Sequence, residues 1–221
     1  MSGPLGERAL QRLLSMAAGA DEPDGPPPLP ARYEVVRELG RGGMGVVYEC
    51  HDRQLARACA VKTIGRGADP ALRRRLAREA LAAARLRHPH IAEVYDVTEE
   101  FISMRLVNGG PIGAAPDGRD GAAARRRVVE LVRDAARALQ HAHAHGVVHR
   151  DVKPSNLLVE HDHVFVVDFG LAKAVDQDAS LSLAGAVLGT PAFMSPEQAR
   201  GRDVDARADV YSVGAILYHL L

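Results

Sequence analysis

The stretch His149-Arg150-Asp151-Val152-Lys153-Pro154-Ser155-Asn156, followed after a short apolar run by Asp168-Phe169-Gly170, decides the reading of this chain. It sets out two carboxylates, an ammonium and an amide in an order that suits phosphoryl transfer from a magnesium nucleotide. That chemistry asks for little covalent help: a base aimed at the incoming hydroxyl, and divalent metal holding the phosphates. Asp151 can be the base. Asn156 and Asp168 offer the hard oxygen ligands that Mg²⁺ prefers to imidazole or thiolate.

Upstream, Gly40-Arg41-Gly42-Gly43-Met44-Gly45-Val46-Val47 falls between two short β-type runs, Tyr33–Leu39 and Val46–Cys50, so its glycines form a hairpin tip. Without Cβ atoms, the backbone N–H groups there can approach phosphate closely. A dinucleotide fingerprint also uses three glycines, but it opens a helix and carries an acid roughly 20 residues on. Here a strand follows instead, and Lys62 is what arrives. Only three lysines occur in the chain, Lys62, Lys153 and Lys173, while arginine fills every other cationic position. A compact ammonium and a planar guanidinium are not interchangeable at a phosphate site, so the placement of Lys62 and Lys153 carries information.

Taken together, the glycine loop, Lys62, Glu79, Asp151, Asn156 and Asp168 resemble, in family order, the eukaryotic-type (Hanks-type) protein kinases. Lys153 followed by Pro154, and Gly189-Thr190-Pro191 further on, resemble the bacterial serine/threonine branch. The resemblance implies an α+β, bilobal fold with a small β-rich N-lobe carrying one helix and a mainly helical C-lobe. It implies Mg²⁺ and ATP as cofactors and protein serine or threonine as acceptor, with Lys153 steadying the transferring phosphate. Lys62 would contact the α- and β-phosphates, with Glu79 as its ion-pair partner. Leu39, Val47 and Ala60 would cover the adenine and Leu158 would lie beneath it. Met104, Arg105 and Val107, in the connecting segment, would present main-chain groups to its edge. Arg105 stands where many kinases have an acid, and Pro111 where the family often has a polar residue for the ribose. Ser195-Pro196-Glu197 matches the motif closing the activation segment, and Asp209 the acid that braces the catalytic loop. Arg150 suggests control by a phosphate on Ser180 or Ser182, although Ala184 stands where bacterial members often carry threonine. All six catalytic positions are filled, so an enzyme is expected. The alternative is a truncated, non-catalytic nucleotide-binding or regulatory fragment.

The rest of the chain fits around these residues. With 47% hydrophobic and 25% charged residues among 221, the chain can bury a sizeable core, and disorder is excluded as the main reading. Zero formal net charge removes any bulk attraction to nucleic acid or anionic membrane. Cys50 and Cys59 are too few for a disulfide framework or zinc cluster and read as buried small hydrophobes of a reducing, cytoplasmic compartment. A longer parent could still carry a membrane anchor, although no such segment is expected here.

Residues 1–32 read as an amphipathic helix, Leu5–Ala18, and a proline-rich linker, 33–107 as the N-lobe and 108–221 as an incomplete C-lobe. Expected strands are Tyr33–Leu39, Val46–Cys50, Arg57–Ile64, Ile91–Asp96, Phe101–Leu106, Leu157–Val159 and Val164–Val167. Expected helices are Asp69–Arg87 and Ala122–His145. The apolar run Val210–Leu221 reads as a buried helix, and its ending without a cap looks like a truncation. His141, His143 and His145 read as helix-terminus imidazoles rather than metal ligands.

Overall fold

Alternating β-type runs separated by turns fold as antiparallel hairpins: β1 (Tyr33–Gly42), β2 (Gly45–Asp52) and β3 (Arg57–Thr63). The structure, a computed structural model, describes residues 29–42, 45–64, 69–113, 121–169 and 191–221. The expected helix Leu5–Ala18, most of the linker, Gly43, Met44, Lys173, Ser180, Ser182, Ala184, Gly189 and Thr190 lie outside the described residues. Asp52, only 1% exposed, makes the β2–β3 turn by accepting the N–H groups of Gln54 (3.0 Å) and Leu55 (3.2 Å). β5 (Phe101–Arg105) inserts between β3 and β4 (Val94–Val97), giving a five-stranded antiparallel sheet in the order β1-β2-β3-β5-β4. Cys50 and Cys59 face each other across β2 and β3, fully buried and unbridged, as small core residues.

Helix α1 (Pro70–Ala83) starts where Asp69 caps the Ala71 N–H at 2.6 Å and Pro70 occupies the first turn. It lays Leu76 and Ala80 against Ala60, Ile64, Ile102 and Met104 of the sheet region. Leu76, 3% exposed, contributes about 1.5–3 kcal/mol by leaving water. The helix ends four residues before the expected Arg87. His88 precedes Pro89 and is steered away from helical geometry, and the Arg87 guanidinium folds back on the Ala84 (3.0 Å) and Leu86 (3.2 Å) carbonyls.

The expected strand Ile91–Asp96 is also corrected. Its first residues leave the large sheet: Ala92 N–H donates to Val166 O (3.0 Å), and Val166 N–H donates to His90 O (2.9 Å). Val94–Val97 pair with β5, and Glu93 O accepts the Arg105 N–H at 2.8 Å. A short apolar run satisfies either partner, and nothing in its alternation chooses between them.

In the second half, β6 (Gly110–Pro111), β7 (Leu157–Glu160) and β8 (His163–Val166) form a three-stranded sheet. β6 was unexpected within a Gly/Pro-rich connector. Helix α2 (Ala122–Ala144) buries Leu131, Val132, Ala135, Ala138, Leu139 and Ala142, spaced three and four apart, against Leu157, Val164 and Val166. Two short elements, a 3-10 turn at Pro191–Phe193 and α3 (Pro196–Ala199), lead to α4 (Ala206–Leu220), capped by the Asp205 carboxylate on Arg207 N–H at 2.9 Å. α4 buries Ala208, Asp209, Ser212 and Ile216 but exposes Val210 (66%), Tyr211 (48%) and Tyr218 (90%). The expectation of a buried helix therefore holds on one face and fails on the other. Residues 31–221 form one unit, and no described helix is long and apolar enough to cross a membrane.

Candidate active site

The loop between α2 and β7 carries His149 to Asn156, and its shape is set by acceptors from other elements. Asp209, on α4 and 1% exposed, accepts His149 N–H (2.9 Å), Arg150 N–H (2.8 Å) and the His143 imidazole (2.7 Å). Two main-chain donors and one imidazole thus share a single buried carboxylate, which is the bracing role implied for Asp209. His143 sits in the last turn of α2, and from there its ring serves this carboxylate. Among the described residues no three His, Cys, Asp or Glu side chains form a metal-ion cluster. Arg150 has a left-handed backbone (φ 67°), and Gln198 Nε2 donates to its carbonyl at 2.6 Å. Gln198 is itself fixed by a reciprocal capping box with Ser195. A non-glycine residue in this region is strained and persists because its surroundings hold it.

The braced loop gathers three of the expected residues. Asp151 Oδ2 accepts from Lys153 Nζ at 2.7 Å and from Asn156 Nδ2 at 3.2 Å, while the same amide donates to Asp151 O at 2.8 Å. With its NH₂ committed to Asp151, the Asn156 side-chain carbonyl is the end left for a cation. The loop is tied to the next segment by His149 Nε2 to Val167 O (2.9 Å) and by Val167 N–H to Asn156 O (3.0 Å). Asp168 follows immediately, with φ 61°.

Lys62, on β3, donates to Asp168 Oδ2 at 2.7 Å, with 12% and 26% of the two side chains exposed. Burial works against the Asp168 charge. Lys62, aided by His149 and Lys153, outweighs it and holds the carboxyl below its usual range. Asp168 is therefore ionised at neutral pH and suited to a hard cation. The expected partner of Lys62 was Glu79, and the structure corrects this: Glu79 lies 3.8 Å from Arg75 on its own helix. Several carboxylates lie within a lysine's reach in a folded chain, and residue order does not rank them.

The five-stranded sheet and the hairpin β7–β8 carry other expected residues. Val47 packs with Ala60 and Met104, and Leu158 packs with Val107 and Phe165. β1 and β2 pair through Gly40↔Val47, Arg41↔Val46 and Gly42↔Gly45. A Cβ placed on Gly40 or Gly42 would meet nothing within 4 Å, so open space faces the loop backbone. Gly45 takes φ 137°, a conformation costly for other residues. A register shift between Glu38 and Gly40 leaves Leu39 40% exposed. The Arg41 guanidinium turns to Glu38 at 2.8 Å.

The family model described as "Protein kinase domain" matches residues 33–221. The chain belongs to the protein kinase family. It is 43% identical over 208 residues to the serine/threonine-protein kinase PknB of Mycolicibacterium smegmatis, covering 89% of this chain and 33% of that protein. It is 40% identical over 199 residues to the DNA damage-responsive serine/threonine-protein kinase RqkA of Deinococcus radiodurans, covering 87% and 30%. Among solved structures, the PknI kinase domain of Mycobacterium tuberculosis (C20A mutant) is similar with TM-score 0.65 and 32% identity, over 86% of this chain and 73% of that one. The chain spans about a third of the length of these curated relatives.

Within this kinase fold Gln198, on the Arg150 carbonyl, and Glu160 escaped the sequence reading. Glu160, at the end of β7, accepts Arg105 Nη2 at 2.8 Å and the Asn108 N–H at 2.7 Å. A glutamate at a hairpin corner has no sequence signature. The only signal was Arg105 itself, a cation where the family often has an acid.

Proposed function

We propose that this chain is the catalytic part of a serine/threonine protein kinase that moves the γ-phosphate of ATP to a protein hydroxyl. One observation carries the reading: Lys62, Asp168, Asp151, Lys153 and Asn156, drawn from three separate segments, meet through side-chain bonds of 2.7–3.2 Å and short main-chain ties. The lobes would join near 107–108, with the nucleotide between β1–β3 and Leu158. The names of the relatives and the Lys153-Pro154 pair support the acceptor class.

In this reading Asp151 Oδ2 stays with Lys153 and Asn156, leaving Oδ1 to take the proton of the acceptor hydroxyl as its oxygen bonds the γ-phosphorus. The bond from that phosphorus to the bridging oxygen breaks, and ADP leaves. Asp168 and the Asn156 carbonyl would hold Mg²⁺, which when bound neutralises charge on the phosphates. Lys62 serves the phosphates only after releasing Asp168, and in that second arrangement Glu79, the partner the family resemblance implies, would receive it.

The test is transfer of labelled phosphate from Mg-ATP to a generic acceptor protein. Label on Ser or Thr, falling 10²–10⁴-fold in Asp151→Asn, is expected for loss of a general base, roughly by analogy with other enzymes. Nucleotide binding without transfer, unchanged by Asp151→Asn, would make the chain a non-catalytic module. Label in a metabolite but in no protein would make it a small-molecule kinase.

A further inference from the structure

The connector 106–109 between β5 and β6 is held from one side by a single hairpin strand. Arg105 opens it, with Nη2 on Glu160 Oε2 at 2.8 Å and its guanidinium carbon 4.3 Å from the centre of the Phe165 ring. Asn108, near the other end, donates its main-chain N–H to Glu160 Oε1 at 2.7 Å. Both oxygens of one carboxylate are therefore spent on the two ends of the same four-residue span. The Glu160 side chain is 14% exposed, and the Asn108 N–H, outweighing burial and joined by Arg105, holds its carboxyl below the usual range. Gly109 adds a third tie: a Cβ there would run into the Val159 carbonyl, so only glycine lets the connector lie this close to β7. Beyond it, Gly110 and Pro111 pair with Val159 and Leu158.

We infer that Glu160, through Arg105 and Asn108, is a positioning residue that fixes the connector's main chain where it reads the edge of the nucleotide base. This deepens the kinase reading and rests on it. Val107, at the middle of the clamped span, packs in one cluster with Leu158 and Phe165 of the hairpin that carries Glu160. The clamp thus sets the distance between the main chain that meets the base edge and the side chain that lies beneath the base. A connector without this clamp samples more backbone states, and base binding must then overcome that entropy.

The experiment compares wild type, Glu160→Gln and Glu160→Ala in the full chain. It follows exchange of the Asn108 amide and measures dissociation constants for Mg-ATP and for adenosine, which has the base but no phosphates. Glu160→Ala should speed Asn108 exchange and weaken both ligands by the same factor, roughly three- to tenfold, as expected for a partly exposed charge-assisted pair. Glu160→Gln keeps an acceptor for the Asn108 N–H and should fall between, with any loss in turnover appearing in KM for ATP rather than kcat. Wild-type affinity for adenosine in Glu160→Ala, or a loss confined to Mg-ATP, would overturn the inference while leaving the kinase reading intact. A wild-type chain that binds neither ligand would overturn the kinase reading and this inference with it.

Discussion

The two sides of the cleft are held in different ways. Below, the loop His149–Asn156 is over-determined: Asp209 takes three donors, Gln198 donates to the Arg150 carbonyl, and His149 ties the loop to Val167. Above, Lys62 reaches the site through one ion pair, and that pair is with Asp168 rather than Glu79. A loop fixed by main-chain acceptors has one geometry. Lys62 has a single bonded side-chain partner among the described residues, the Asp168 carboxylate. In this chain the lower side is held by many ties and the upper by one ion pair.

Removing the lower brace should have the largest effect. Asp209→Ala strands two buried main-chain N–H groups and the His143 ring. A loss of about 3 kcal/mol or more in denaturant unfolding is expected, with phosphate transfer abolished. A change below about 1 kcal/mol would mean the loop holds itself.

The upper side should respond the other way. Glu79→Gln leaves the Lys62–Asp168 pair in place, so unfolding should shift by less than about 1 kcal/mol, as for a partly exposed side chain. Turnover should nevertheless fall on the order of tenfold or more, because Lys62 has no second carboxylate to receive it. Equal losses of stability and turnover would erase the contrast between the two sides.

A smaller effect concerns the loop between α1 and β4. His88 Nδ1 accepts the His90 N–H at 3.1 Å, and its ring lies 5.3 Å from that of His141 and 5.7 Å from that of His90. Burial, with His141 and His90, pushes the His88 pKa down, and Asp134 only partly opposes this. The folded chain therefore keeps His88 neutral at a pH where the unfolded chain protonates it, so stability falls as pH drops through the ordinary histidine range near ~6.5. Melting curves between about pH 7.5 and 5 should show a decline that is shallower in His88→Asn. Parallel curves would remove His88 as its source.

Much of the site was legible because its chemistry is local in sequence. Asp151, Lys153 and Asn156 lie within six residues and bond one another, and the hairpins β1–β3 follow from turn residues between alternating runs. What escaped depends on tertiary choice. The partner of Lys62, the capture of Ala92 by β8 and the double duty of Glu160 are each one option among several that the same residues permit. The run at Val210 misled for a related reason: apolar content says a helix is able to bury a face, not which residues are covered.

The convergence of Lys62, Lys153 and Asp168 on one triphosphate is tested most directly with an ATP analogue bearing an acylating terminal phosphate. The chain has three lysines, so the map of modification is short. Lys62 and Lys153 should be acylated and Lys173 spared, with excess Mg-ATP blocking both and Asp168→Ala reducing both. Labelling of Lys173 instead, or labelling that Mg-ATP does not block, would contradict a shared cleft.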